Sequence, residues 1–428
     1  MPLNYHEPGT TITVAVSRLR ATDPALRRGV LLMNPGGPGD PGLDWPGRLI
    51  TRGLPASVRA SYDLIGFDPR GIGRSTPVTC ELPPELQTSN LPPYARDAVD
   101  VARQAAVAEQ IAKLCATSDT AALLPYINTV STAKDMEQIR LALGEERISF
   151  LGQSYGTYLA AVYATLFPDR TDRFVLNSVS GTGGFDVTAA RRFAIGFEDR
   201  FPDFAAWAAR RNATYRLGAT PAQVTAKYFE LAERLDRSPI LGLDGAQFRT
   251  GTRTALYSDE QFSLLAFTWM IANQVTRSAA AQPNIEHLLA GQLHVACNDS
   301  DWPESVLDYQ LSVAISRITH PMYGPAAANI WPCAFWREDP VDPPVRISDQ
   351  GLSNMLLVQN MRDPGTPLVG ALEMRRALGD RARMIVVDQG GHGAYLNGNT
   401  CADNAVARFL VDGQRPPQDT SCAKEPAE

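Results

Sequence analysis

Six short runs of apolar residues stand out along the chain: Gly29–Met33, Tyr62–Phe67, Ile148–Leu151, Phe174–Leu176, Met355–Val358 and Met384–Val387. None alternates apolar with polar residues. Continuous runs of this length suit strands buried on both faces of a parallel sheet. An earlier run, Thr11–Val16, reads as the first strand. Between the runs lie helix-patterned stretches, notably Thr132–Leu143, with Met136, Ile139, Leu141 and Leu143 set among charges. Strand and helix alternate, so the class is α/β. The rhythm stops after Leu176 and resumes at Met355. The intervening residues read as helices, with Ala189–Ala209 and Pro221–Arg237 as examples and the aromatic residues Phe262, Phe267 and Trp269 beyond them. The pattern predicts a sheet domain split into 1–177 and 355–428, with a helical cap or lid, 178–354, inserted between its halves. From Gln414 onward the tail is polar.

The chain has 428 residues, 44% of them hydrophobic, enough for a core that needs neither metal nor disulfide. Forty Lys and Arg against 46 Asp and Glu leave a net charge of −6, so there is no basic footprint for nucleic acid. No apolar run is long enough for an ordinary membrane-spanning helix. Six cysteines, at 80, 115, 297, 333, 401 and 422, include no C-x-x-C pair and no histidine at zinc-ligand spacing. No metal site and no cofactor are expected. An even set of scattered cysteines fits disulfides in an oxidising compartment, with buried thiols as the alternative. Residues alone leave the connectivity open; the sequence-local choice is Cys80–Cys115, Cys297–Cys333 and Cys401–Cys422. Met1–Tyr5 has neither the basic start nor the apolar stretch of a signal peptide, so a secreted or extracytoplasmic location is an inference rather than a reading.

Gly152-Gln153-Ser154-Tyr155-Gly156 is a G-x-S-x-G pentad. The bare pattern is weak, but it follows a strand-like run and leads into the helix-like Thr157–Val162. Strand, tight turn and helix is the setting of a nucleophile elbow, which leaves the serine hydroxyl exposed at the strand's end. A serine hydroxyl needs a base, and of five histidines only His392 lies in a Gly-flanked loop directly after a strand run. His287, His294 and His320 fall in the helical insertion, and His6 precedes the sheet. Asp363, in Asp363-Pro364-Gly365-Thr366-Pro367, follows another run and can orient the imidazole. Asp-Pro is also an ordinary turn former, but the order Ser154, Asp363, His392 is that of α/β-hydrolases. An oxyanion needs two N–H donors. The backbone of Tyr155 should give one, and Gly37, in the glycine-rich loop Asn34–Gly39, the other. That loop is no phosphate cradle, since no Lys-Ser/Thr follows. A second glycine-punctuated loop, Asp68–Ser75, should support it.

Asn34–Gly39, Gly66–Gly71, Gly152–Gly156, Asp363–Pro367 and Gly390–Gly393 together resemble the prolyl aminopeptidase family of α/β-hydrolases, and within it the tripeptidyl aminopeptidase-like branch of bacterial secreted exopeptidases. The resemblance runs from about Val14 to Leu410. It implies an α/β-hydrolase fold with nucleophile, acid and base at Ser154, Asp363 and His392. It also implies a cap disulfide, because Cys297-Asn298-Asp299 and Trp331-Pro332-Cys333 look like that branch's cysteine pair. Asp40-Pro41-Gly42 stands where a more Gly/Ser-rich stretch is usual, and Asn177-Ser178 where Asp-Gly is common; both are expected near the pocket mouth.

The expected activity is a serine exopeptidase acting near a free N-terminus, with a peptide or small-molecule substrate and no nucleic-acid or membrane partner. An aminopeptidase needs a carboxylate for the substrate ammonium, and Asp299 and Glu304 are the candidates in the insertion. The same chemistry would serve an esterase or amidase acting on a small or peptide-derived metabolite, because fold does not fix substrate. A non-catalytic binding protein of this fold would have no reason to keep serine, aspartate and histidine with both oxyanion loops.

Overall fold

All six apolar runs lie in strands of one eight-stranded sheet in the computed structural model, which describes residues 1–7, 9–87, 89–240, 242–274, 284–336 and 341–425. The strands are β1 (Val16–Leu19), β2 (Gly29–Asn34), β3 (Tyr62–Phe67), β4 (Ile148–Ser154), β5 (Thr171–Val179), β6 (Met355–Arg362), β7 (Ala382–Gly390) and β8 (Thr420–Cys422). Their spatial order is β1-β3-β2-β4-β5-β6-β7-β8, with β1 antiparallel and every other pairing parallel. Both faces are covered, as the unbroken apolar runs require. Leu31, Met33, Leu64, Leu151, Val175 and Leu356 pack towards the helices Trp45–Thr51, Ala56–Ser61 and Thr400–Asp412. Val30, Leu32, Ile65, Phe150, Phe174 and Leu357 face the other way, onto Thr129–Ala142 and Tyr155–Leu166.

Two elements depart from the sequence expectation. The first strand is Val16–Leu19 rather than Thr11–Val16, and it is a largely exposed edge. In residues 11–15, ahead of it, N–H groups go to other segments: Ile12 to the Met1 carbonyl, Thr13 and Ala15 to the hydroxyls of Thr76 and Ser75. The helix expected over Thr132–Leu143 begins at Thr129, because the Asn128 side chain accepts from Ser131 N–H and caps it earlier.

Between β5 and β6 the described residues form helices, including Val187–Ala209, Pro221–Arg237, Gly245–Ala255, Phe262–Gln274, Glu286–Asp299 and Val306–Thr319. Pro221–Arg237 has Thr220 as its N-cap and proline at its first position, so its start is fixed by sequence. Phe197, Phe201, Phe204, Tyr228 and Trp269 stack together there, in the same apolar cluster that reaches Phe150 and Phe174 of the sheet. Helix Ala98–Thr117, from the β3–β4 connection, packs against Val306–Thr319 through Val101, Ala105, Tyr309 and Val313. The disulfides are Cys80–Cys115, Cys297–Cys333 and Cys401–Cys422, the sequence-local set. The last joins helix Thr400–Asp412 to β8, so the polar tail is tied to the sheet edge. No helix among the described residues is long and apolar enough to cross a membrane.

Candidate active site

Ser154 ends β4 and precedes helix Tyr155–Leu166 with φ 56° and ψ −126°, a conformation a serine rarely adopts. The surrounding glycines are required by contact. A Cβ on Gly152 would stand 2.4 Å from the Gly156 carbonyl oxygen, and one on Gly156 would stand 2.7 Å from Asn34 Oδ1. Strand and helix therefore approach too closely for any side chain at either position, which is the mechanical basis of the pentad.

His392 and Asp363 reach the same end of the sheet from β7 and β6. His392 Nδ1 lies 2.9 and 3.1 Å from the two Asp363 oxygens. The carboxylate also accepts from Gly365 N–H at 2.8 Å, Thr366 N–H at 2.9 Å and the Thr366 hydroxyl at 3.1 Å. Asp363 is thus both turn former and histidine partner. Burial by itself would raise its pKa; the charge and hydrogen bond of His392, helped by Thr366 and Ser178, hold it below the usual carboxylate range. An ionised Asp363 fixes the Nδ1–H tautomer and leaves Nε2 as the basic nitrogen. The Ser154 hydroxyl has no hydrogen bond among the described residues; a contact of this kind commonly tightens only when substrate binds.

The His392 loop is pinned from several elements. The Tyr257 carbonyl accepts His392 N–H at 2.8 Å, and the two rings lie 4.7 Å apart. Asn360 Nδ2 donates to the carbonyls of Gly391 and Gly393. Asn177 Oδ1 accepts from Ala394 and Tyr395 N–H, and Ser178 Oγ from Gly393 N–H. Asn177 and Ser178 therefore sit buried beneath the histidine loop rather than at the pocket mouth, which corrects the sequence expectation.

Gly37 and Tyr155 line the cavity beside Ser154. Gly36 and Gly37 have φ of 104° and 103°, and a Cβ on Gly36 would lie 3.1 Å from Tyr155 N, so the loop lies directly against the elbow. Tyr155 N–H, first in its helix, has no intrahelical acceptor. Asp68 Oδ1 accepts from Gly42 and Leu43 N–H, just past the end of that loop. Asp40, not singled out as a titrating group, lies just beyond Gly37; burial raises its carboxyl against the pull of Arg48 and His392.

The cavity at Ser154 has a volume of about 240 Å³ and shares Asn90, Leu91 and Gln292 with a larger space of about 700 Å³. Leu86, Ile111, Leu289 and Trp331 make much of the larger space apolar, and Glu85 and Asp244 are carboxylates on its wall. The smaller cavity carries two cations, Arg192 and Arg253, and no carboxylate among the described residues. Neither predicted ammonium partner lines it. Glu304 is exposed. Asp299 is buried at the end of helix Glu286–Asp299 and accepts from Thr129 N–H and its hydroxyl, which in turn meets the Tyr155 hydroxyl. Burial, against those hydrogen bonds, pushes Asp299 up to about 7. It supports the elbow from behind. His294, in the same helix, is buried with its pKa pushed down to about 4 by burial, and its Nδ1–H donates to the Ala290 carbonyl.

A parallel sheet with a serine elbow and an Asp–His pair at adjacent strand ends defines the α/β-hydrolase class. Comparison with known proteins narrows this. Residues 320–422 match the model of the "TAP-like protein" family. The chain is 32% identical to a tripeptidyl aminopeptidase of Streptomyces lividans over 99% of its own length and 82% of that protein's. It is 30% identical to serine protease Hip1 of Mycobacterium tuberculosis, covering 99% and 86%, and 30% identical to carboxylesterase B of the same organism, covering 99% and 85%. The chain belongs to the tripeptidyl aminopeptidase-like family of α/β-hydrolases.

Proposed function

We propose that this protein is a serine exopeptidase that cleaves short peptides near a free N-terminus through an acyl-enzyme on Ser154. The observation that carries the reading is the Asp363–His392 pair, 2.9 Å apart, brought to the strand end beside a serine held at positive φ. His392 Nε2 takes the Ser154 proton as Oγ attacks the scissile carbonyl. The oxyanion rests on the N–H groups of Gly37 and Tyr155. His392 then gives its proton to the leaving amine, and water repeats the sequence to release the acyl group. The tripeptidyl aminopeptidase and serine protease relatives support a peptide substrate. The larger space beyond Gln292 is the place assigned to the amino end, with Glu85 and Asp244 as its carboxylates in place of Asp299 and Glu304. The insertion 178–354 acts in this reading as a cap that closes the cleft. Three disulfides support work in an oxidising, extracytoplasmic compartment.

A second reading, an esterase or amidase for a small metabolite, is favoured by the carboxylesterase relative and by the absence, among the described residues, of an acid at Ser154's own cavity. One experiment addresses both. Ser154→Ala should remove nearly all turnover and all labelling by a fluorophosphonate probe. The wild type should cleave unblocked peptide chromogens at least about tenfold faster than their N-acetyl forms, since blocking removes the charge that the half-buried Asp244 and the exposed Glu85 would pair. Labelling that survives the substitution overturns the nucleophile. Equal cleavage of blocked and unblocked peptides, with simple acyl esters faster still, replaces the exopeptidase by the esterase.

A further inference from the structure

Among the described residues, Arg253 is a buried cation without an anion. It belongs to helix Gly245–Ala255 and is 4% exposed, yet it lines the same cavity as Ser154. Its Nη2 donates to the Tyr257 hydroxyl at 3.1 Å and, at 3.4 Å, to the Pro364 carbonyl, while its Nε is buried with no partner. The guanidinium lies 4.0 Å over the Phe193 ring. No carboxylate contacts it among the described residues. Most other buried arginines are treated differently: Arg70 faces Asp135, Arg249 faces Asp236 and Arg200 faces Asp203, while Arg381, which also meets only carbonyls, lies away from the Ser154 cavity. The second cation on the cavity wall, Arg192, already holds Glu373.

An uncompensated buried charge is expensive, and guanidinium recognises planar anions by paired hydrogen bonds. Arg253 also sits one contact from the reacting groups, because Tyr257, to whose hydroxyl it donates, has its ring tilted against His392 at 4.7 Å. We propose that Arg253 is a recognition site for a carboxylate of the substrate, placed beside the scissile bond. The proposal rests on Ser154 as the nucleophile of the cleft. The carboxylate has two sources: a side chain of the acyl part, or the C-terminal carboxylate of a short leaving group. The guanidinium carbon lies over the Phe193 ring and 5.7 Å from the centre of the Tyr323 ring, so aromatic faces hold it on the wall of the cavity it lines. A Lys there could supply the charge without the fork.

The test uses the full chain as wild type, Arg253→Gln and Arg253→Lys. One pair of esters places the charge on the acyl side: p-nitrophenyl hemisuccinate against its methyl ester. A second pair places it on the leaving side: butyrate esters of 4-hydroxybenzoate and of 4-hydroxybenzamide. The readout is the charged-to-neutral ratio of kcat/KM, compared between variants so that intrinsic ester reactivity cancels. In one of the two pairs Arg253→Gln should lower that ratio at least about tenfold, mostly through KM, and Arg253→Lys should lower it less. A ratio unchanged in both pairs overturns the site. Should Arg253→Gln not fold, competitive inhibition of the wild type by succinate but not by succinamide supports the site, and equal inhibition overturns it. Turnover that persists in Ser154→Ala would instead overturn the nucleophile, an outcome separate from any change in the ratio.

Discussion

Asp299 carries a carboxyl whose surroundings pull in two directions. Thr129 gives it a backbone N–H at 2.8 Å, which favours the ionised form, while full burial favours the neutral one and prevails, with the pKa pushed up to about 7. In the unfolded chain the same group ionises near the ordinary value of about 4. Between those values the fold binds the extra proton, so this contribution to stability is complete below about pH 4 and is lost as pH rises towards 7. Asp299→Asn keeps an acceptor for Thr129 N–H and a donor for its hydroxyl without the charge. Its stability relative to wild type should therefore grow between pH 5 and pH 8, by about 2 kcal/mol or more at about 1.4 kcal/mol per pH unit. Urea unfolding across that range checks it; parallel curves for the two proteins would show that Asp299 ionises normally in the fold. The sequence could mark Asp299 as an acid near a cysteine, but not that it faces Thr129 rather than substrate. Ser154, Asp363 and His392 were legible because each announces itself within a few neighbours: a pentad, an Asp-Pro-Gly turn, a Gly-flanked histidine. Arg253, Tyr257 and the pinning role of Asn177 were not. Each acts on a partner far along the chain, and nothing in its own neighbours says so.

At the scale of elements, the elbow is a packing problem between β4, β2 and helix Tyr155–Leu166. Gly156 faces Asn34, whose Oδ1 also accepts Gly36 N–H and so holds the glycine-rich loop Asn34–Gly39. Gly156→Ala would set a methyl group 2.8 Å from the Asn34 backbone oxygen, which belongs to a central strand and cannot give way easily. The helix must shift instead, carrying Tyr155 N–H with it. Overpacking of this kind costs about 1–3 kcal/mol, and a misplaced donor costs more in rate than in stability. The variant should fold with a modestly lowered Tm and lose at least about tenfold in kcat, read by thermal unfolding and by the rate of fluorophosphonate labelling. A variant with normal kcat would mean that the loop does not depend on this contact. The same scale explains which strands the sequence revealed. The six central strands are apolar on both faces and stand out at once. β1 and β8 are short edges paired on one side, with burial patterns of mostly exposed residues, so no apolar run marks them.

Across the whole molecule two of the three disulfides tie different things. Cys401–Cys422 fastens β8 to the sheet edge, on the face away from helix Tyr155–Leu166. Cys297–Cys333 joins helix Glu286–Asp299 to the segment carrying Trp331 and Pro332, which wall the larger space, and Asp299 two residues on holds Thr129 against the elbow. Each closes a loop of similar size, with sequence separations of 21 and 36, so removing either should cost a comparable 2–5 kcal/mol or so. Their effects on turnover should differ. Replacing Cys401 and Cys422 by serine should lower Tm while leaving kcat/KM within about twofold at temperatures where the protein stays folded. Replacing Cys297 and Cys333 should lower Tm by a similar amount and also raise KM several-fold, because the walls that meet substrate lose their tether. Tm and steady-state kinetics on one peptide chromogen, measured for both double variants side by side, decide it. Equal kinetic effects from the two pairs would show that the larger space plays no part in holding substrate, and the cleft would then be confined to the cavity between Gly37, Arg253 and Thr366.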